Sequence, residues 1–275
     1  MKPPPFEYVA AGTVAEALDA LADADGEAKV LAGGQSLVPL LNMRLARPAL
    51  LVDVNPVTGL DGIAVDGTVS VGALVRQSDA LASDVLASAL PLLRTGLRYV
   101  GYPATRSRGT IGGSLAHADP AAELPAIVLA LDGDLVCAGA GGERSVPAGD
   151  FFTGPFTTAL APGELLTSVV FDRGDVRRPF GFAELARRQG DFALAGAVVL
   201  LDPARVVLFG VGGAPERAPA AEEALEGGAH ARDAAELATR ELEPVSDVHA
   251  DGAYRRRTAA VLVRRAIEQA ERAHG

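Results

Sequence analysis

The stretch "TRSRGTIGGSLAHADPAAELPAIVLALD", Thr105 to Asp132, decides how this chain is read. It sets a double glycine on a loop, then a lone histidine and a carboxylate, then an apolar helix. A second stretch, "VLAGGQSLVPLLNMRLARP" from Val30 to Pro48, repeats the device: an apolar strand runs into Gly33 and Gly34, followed by a serine and a short helix. Glycine lets a ligand approach the main chain, and free N–H groups at a helix start face an anion. Gly33, Gly34, Gln35 and Ser36 suit that use in one loop, and Thr110, Ile111, Gly112, Gly113 and Ser114 suit it in the other. Taken alone, either loop is explained equally well as a tight structural turn. Together they point to a ligand with two phosphates.

Other phosphate and nucleophile signatures are missing. "GVGGAP", Gly210 to Pro215, lacks the last glycine of a Rossmann fingerprint and reads as a turn after a strand. No Walker lysine follows either glycine pair, and Val38 stands where a nucleophile elbow needs glycine.

The bulk numbers narrow the class. At 275 residues and 49% hydrophobic, the chain can bury a sizeable core. A net charge of −10 argues against nucleic acid as a partner, because phosphate backbones need a positive footprint. The single cysteine, Cys137, rules out a disulfide framework or a cysteine-ligated iron–sulfur cluster within the chain, and its alternating surroundings read as a buried strand. The four histidines are scattered without metal spacing. "MKPPPFEYVA" has no signal-peptide core and no run reaches the length of a membrane span, so a cytoplasmic location is expected.

Working outward from the glycine stretches, residues 1–55 read as a small α/β unit. "FEYVA", "KVLAGG" and "LLVDVN" are its strands, and Thr13 with Glu16 forms a capping box on its first helix. Residues 56–173 read as a hairpin turning at Asp66-Gly67, helices broken near Pro91, the helix "PAAELPAIVLALDG", a hairpin turning at Gly141-Gly142, and the strand "GELLTSVVFD". The charged loop "RGDVRRP" is the candidate boundary. Beyond it, 174–275 reads as three strands and then helices, an α+β pattern. "RRR" at Arg255 to Arg257 reads as the solvated face of the last helix.

His117 either polarises a ligand or caps a turn. Asp119 and Glu123 either complement a helix N-terminus or accept from ligand hydroxyls such as a ribityl chain.

The two glycine motifs, with similarity from "PPPFEYVAAGTVAEAL" to "AYRRRTAAVLVRRAI", resemble the FAD-binding (medium) subunit of the molybdenum hydroxylases, the carbon monoxide dehydrogenase and xanthine dehydrogenase family. The resemblance implies an α+β architecture: a two-part FAD-binding domain of the PCMH type over 1–173, then a smaller α+β domain over 174–275 built on a three-stranded sheet. It implies that Ala32, Gly33, Gly34, Gln35, Ser36, Leu37 and Thr110, Ile111, Gly112, Gly113, Ser114 hold the FAD pyrophosphate. His117 belongs to the same cofactor set. Glu123 lies near the ribityl or ribose hydroxyls, Leu166 packs near the flavin ring, and Asp191 and Phe192 of "RRQGDFA" reach the isoalloxazine.

Three departures stand out. Glu123 replaces a frequent aspartate, Gln35 a histidine found in carbon monoxide dehydrogenases, and Phe192 a tyrosine. The last two speak against carbon monoxide as substrate.

The implied role is electron relay without acid–base catalysis by this chain. A large partner subunit would carry the molybdenum cofactor and a small one the [2Fe-2S] clusters, in a heterohexamer of two trimers. The competing readings are a stand-alone flavin oxidoreductase and a scaffold of the same fold that binds no flavin. A bulky residue at Gly33 or Gly112 is expected to abolish FAD binding with the fold mostly intact.

Overall fold

The computed structural model describes residues 2–24, 26–172 and 178–274. The first unit is a parallel three-stranded sheet, order β1-β3-β2, of β1 (Glu7–Ala10), β2 (Ala28–Leu31) and β3 (Leu50–Asp53). Helix α1 (Val14–Asp23) covers it with Ala17 and Leu21; Thr13 accepts from the Glu16 amide, the first half of a capping box, while the Glu16 carboxylate reaches one residue past the cap and accepts from the Gly12 amide instead of that of Thr13. Helix α2 (Leu37–Asn42) is shorter than its pattern suggests, ending before Arg44, which sits at φ 59°.

The second unit is an antiparallel sheet, order β4-β5-β10-β6-β7, from β4 (Ile63–Asp66), β5 (Thr68–Gly72), β6 (Asp134–Gly139), β7 (Gly142–Pro147) and β10 (Leu165–Asp172). Gly67 at φ 64° makes the turn read from Asp66-Gly67. Between β5 and β6 run α3 (Gln77–Ala82), α4 (Asp84–Ala89), α5 (Pro91–Leu97), α6 (Pro103–Arg106), α7 (Ile111–His117) and α8 (Glu123–Ala130). Pro91 opens α5, which is the break expected there, because proline lacks the amide a continuing helix needs. All eight residues of α8 are buried, and it forms the centre of the main core with Leu92, Leu93 and Leu97 of α5. A short helix α9 (Ala148–Phe151) and the ribbon β8 (Phe152–Gly154) with β9 (Thr157–Thr158) precede β10.

The third unit is an antiparallel meander, β11 (Phe180–Ala186), β12 (Ala193–Leu200), β13 (Arg205–Phe209) and β14 (Glu216–Arg217). The sheet is therefore four-stranded, not three-stranded. β14 is two residues long, too short to leave an alternation pattern. Helices α10 (Pro219–Glu226), α11 (Ala231–Thr239) and α12 (Gly252–His274) cover one face, with Ala259, Leu262, Val263, Ala266, Ile267 and Ala270 facing inward. Arg255 is not on the solvated face. It is buried, donating to the carbonyls of Leu194 and Gly210 and to Asp247, while Arg256 and Arg257 are exposed. The expected boundary loop lies outside the described residues over 173–177.

The other face of the meander packs on α5 and α8 of the second unit. Phe182 meets Tyr99 at 4.9 Å and Phe209 at 5.8 Å, and the main core runs through α5, α8, β12 and β13 without interruption.

Candidate functional site

Both glycine segments come together. Gly33 is buried against the second segment: a Cβ there would overlap the Arg108 carbonyl oxygen and lie 2.8 Å from the Gly109 Cα. A Cβ on Gly113 would sit 3.8 Å from that of Ala32. The cleft beside them, about 400 Å³, is lined by Ala32 to Gln35, Val38 and Pro39, with Asp53, Asn55 and Arg108.

The first segment offers its main chain to that cleft. Gly34 adopts φ 71°, a left-handed geometry that glycine reaches without strain. Ser36 precedes α2 but makes no side-chain cap. Among the described residues, the amides of Gly34, Gln35, Ser36 and Leu37 donate to no protein acceptor. Arg108 is exposed and has no carboxylate partner among the described residues.

The second segment is built differently. Gly112 and Gly113 are not on a loop after a strand; they form the first turn of α7, preceded by α6. Thr110 caps this turn, accepting from the Gly113 amide at 3.0 Å. Ile111 and Gly112 donate to the carbonyls of Val75 and Ala73, and Ser114 to that of Thr110. A Cβ on Gly112 would overlap that of Ala73 and approach its Cα at 2.7 Å. Gly112 thus serves close packing of backbone on backbone, whereas Gly113 makes room for the Thr110 hydroxyl, 2.6 Å from where a Cβ would stand. A bulky residue at Gly33 or Gly112 therefore strains the fold as well as the cleft, since the added atoms meet protein main chain.

The far end of α7 carries the acids. Seven residues of helix separate the two ends by ~10 Å. His117 is half-buried and stacks on Phe156 at 5.1 Å; burial lowers its pKa, against the pull of Asp119. Burial raises the Asp119 carboxyl, which accepts from the Ala121 amide. Glu123 opens α8 with 5% of its surface exposed; burial pushes its pKa up to about 7, its own amide opposing and Asp119 adding to the rise.

Facing Glu123 from β11 is Glu184, which the sequence did not single out. Burial and then the Glu123 charge push it to about 8, and its Oε2 is buried without a hydrogen-bond partner. One further signal points there: Glu184 shares the inward face of β11 with Phe182, two residues earlier, so a charged residue interrupts an apolar face.

Asp191 and Phe192 lie on the β11–β12 loop. Phe192 is 62% exposed, Tyr102 donates to Asp191 at 3.4 Å, and a Cβ on Gly190 would come 2.8 Å from the Gly101 carbonyl, so this loop seats on the approach to α6. Leu166 stands apart: it is buried on β10 opposite Cys137 and belongs to the main core, not the cleft lining.

Behind both segments runs a polar chain that the sequence did not reveal. Tyr8 donates to Asp53 at 2.6 Å, Asp53 accepts from the Asn55 amide at 2.9 Å and side chain at 2.5 Å, and Asn55 also donates to the Ala32 carbonyl at 2.9 Å. Arg76 donates to Asn55 at 2.6 Å and to the Arg108 carbonyl at 2.5 Å.

Residues 4–171 match the FAD binding domain in molybdopterin dehydrogenase, and residues 180–270 match the CO dehydrogenase flavoprotein C-terminal domain. The chain belongs to the molybdopterin-dehydrogenase FAD-binding family. Within it, the chain is 41% identical to the 6-hydroxypseudooxynicotine dehydrogenase complex subunit alpha of Paenarthrobacter nicotinovorans, over 98% of this chain and 96% of that one. It is 34% identical to the carbon monoxide dehydrogenase medium chain of Hydrogenophaga pseudoflava, over 98% of each. Among solved structures it superimposes on quinoline 2-oxidoreductase from Pseudomonas putida 86 with TM-score 0.94 and 38% identity, covering 100% of both chains. The family's fold, an FAD-binding domain followed by the flavoprotein C-terminal domain, is the fold of this chain.

Proposed function

We propose that the chain is the FAD-binding subunit of a molybdenum-containing hydroxylase or dehydrogenase and relays electrons from partner [2Fe-2S] clusters to an external acceptor. The observation that carries this reading is the row of four unpartnered amides, Gly34 to Leu37, beside the cleft. Unpaired N–H groups at a helix start suit a diphosphate, and the unpartnered Glu184 Oε2 and buried Glu123 suit hydroxyl donors one helix-length away. These residues fit a flavin dinucleotide.

In the division of labour we propose, 1–173 holds the cofactor and 174–275 closes over it. Ala32 to Leu37 take the pyrophosphate. Thr110 to Ser114 form the wall that fixes their position. Glu123 and His117 sit toward the ribityl chain, and Asp191 and Phe192 toward the flavin ring. When bound, FAD supplies both one- and two-electron chemistry.

A large molybdenum-cofactor subunit and a small [2Fe-2S] subunit complete the assembly, as a heterohexamer in the cytoplasm. No helix among the described residues is long and apolar enough to cross a membrane.

The test is direct. The purified chain is incubated with FAD, freed of excess and examined by its visible spectrum, with the released cofactor identified by mass. Retained FAD supports the reading. Flavin absent from the chain, and absent again when it is co-expressed with its neighbouring subunits, overturns it in favour of a scaffold.

A further inference from the structure

The two cofactor segments belong to different units of the fold, so something must set the distance between them. Two contacts do so. One is the seating of Gly33 on the Arg108 carbonyl. The other is a side-chain fork: Arg76 reaches the Arg108 carbonyl with one guanidinium nitrogen and the Asn55 side chain with the other, and Asn55 holds the Ala32 carbonyl.

Arg76 is itself well placed to serve as a fixed anchor. It follows β5, forms an isolated bridge with Thr110, and precedes Gln77, whose amide donates to the Gly109 carbonyl at 2.9 Å. On the other side, Asn55 is oriented by Asp53, which Tyr8 holds in turn. A planar guanidinium fixes two acceptors at once, which an ammonium on a flexible stem does not.

We infer that Arg76 and Asn55 form a latch across the two units that sets the spacing and orientation of the cofactor segments. They are positioning residues: each acts through a carbonyl of the segment it grips. The inference rests on the reading of this chain as an FAD-binding subunit. It adds to that reading two residues outside the glycine motifs on which affinity depends.

The experiment uses the full chain. FAD affinity is measured by fluorescence titration, the visible circular dichroism of bound flavin reports cofactor orientation, and the melting temperature is taken without FAD. The variants are Arg76→Gln, Arg76→Lys, Asn55→Ala and the double Arg76→Gln/Asn55→Ala, with Arg98→Gln, at an exposed arginine, as control.

The latch predicts that FAD binds about 10- to 100-fold more weakly in Arg76→Gln and in Asn55→Ala, the range for loss of hydrogen bonds to a charged group. The double variant binds no more weakly than the worse single, the dichroism of bound flavin changes, and Arg76→Lys recovers less than tenfold. Affinity and dichroism unchanged in the variants, with wild type binding FAD, overturn the latch and leave the FAD reading standing. So does a fall in melting temperature with unchanged affinity in the folded chain, or strictly additive losses. A wild-type chain that never takes FAD, alone or with its partner subunits, overturns both. If Arg76→Gln does not fold, Asn55→Ala and Arg76→Lys decide the matter.

Discussion

The segments Gly33–Leu37 and Thr110–Ser114 each carry a glycine pair followed by a serine, and they put their backbones to opposite uses. In the first, four successive amides meet no protein acceptor and Ser36 leaves its helix uncapped. In the second, the amides of Ile111 to Ser114 are all engaged, by Val75, Ala73, the Thr110 hydroxyl and the Thr110 carbonyl. The first presents donors; the second is the wall against which they are held. Gly33 and Gly112 both admit protein main chain, so the difference teaches that a glycine pair marks close approach of something to the backbone, and that the unpartnered amides after Gly33 are what set the first segment apart.

The largest expected effect follows from the wall. Gly112→Val forces branched carbon atoms into the Ala73 backbone, and Gly33→Val does the same at Arg108 and Gly109. Overpacking of this kind costs on the order of 3 kcal/mol where main chain cannot yield. That lowers the melting temperature by roughly 6–12 °C in a protein of this size. Gly141→Ala is the control, because a Cβ there meets nothing within 4 Å and its φ is not positive. Differential scanning fluorimetry of the three variants checks it. Gly112→Val melting with wild type while losing only FAD would restore the view that the two segments act alike.

Much of the fold was legible, and the reasons are local. The Thr13 cap on α1, the Asp66-Gly67 turn and the Pro91 break are signals within a few residues, and each appears where it was read, although Glu16 closes on Gly12 and not on Thr13. The buried α8 followed from an uninterrupted apolar run. What stayed hidden depends on residues distant in sequence. Arg76 grips Asn55 and Arg108, 21 and 32 positions away, so no spacing rule finds it. Arg255 looked solvated because its neighbours Arg256 and Arg257 are; its burial depends on carbonyls 61 and 45 positions away. Glu184 left a trace, as a lone acid on an apolar strand face, but its meaning needed Glu123 opposite it.

That acid pair gives a second, smaller effect, and a different one from the wall. Glu123 and Glu184 are held near 7 and 8 against an ordinary value of 4.5. Asp119 adds to the rise at Glu123, and the half-buried His117 in turn offsets part of the rise at Asp119. Between about 4.5 and 8 the folded chain keeps protons that the unfolded chain has released, so stability falls as pH rises through this window. The melting temperature of the FAD-free chain should therefore decline from pH 5 to 8. Glu184→Gln should flatten the decline, because an amide neither titrates nor repels Glu123. An identical slope in wild type and variant would show that the pair does not store the protons.

The smallest effects sharpen the comparison most, because they separate the two segments by a single hydroxyl each. Thr110 is 2% exposed and caps α7; Thr110→Ala removes that cap and costs about 1 kcal/mol, or roughly 2–4 °C in melting temperature. Ser36 caps nothing, so Ser36→Ala should melt with wild type. What Ser36→Ala loses is a hydroxyl beside the cleft, and a single neutral hydrogen bond to ligand corresponds to roughly a 2- to 10-fold weaker FAD affinity. Melting curves and FAD titrations on the two variants give four numbers. Thr110→Ala should move chiefly the melting temperature and Ser36→Ala only the affinity. The reverse pattern would mean that Thr110–Ser114 presents the donors and Gly33–Leu37 is the wall.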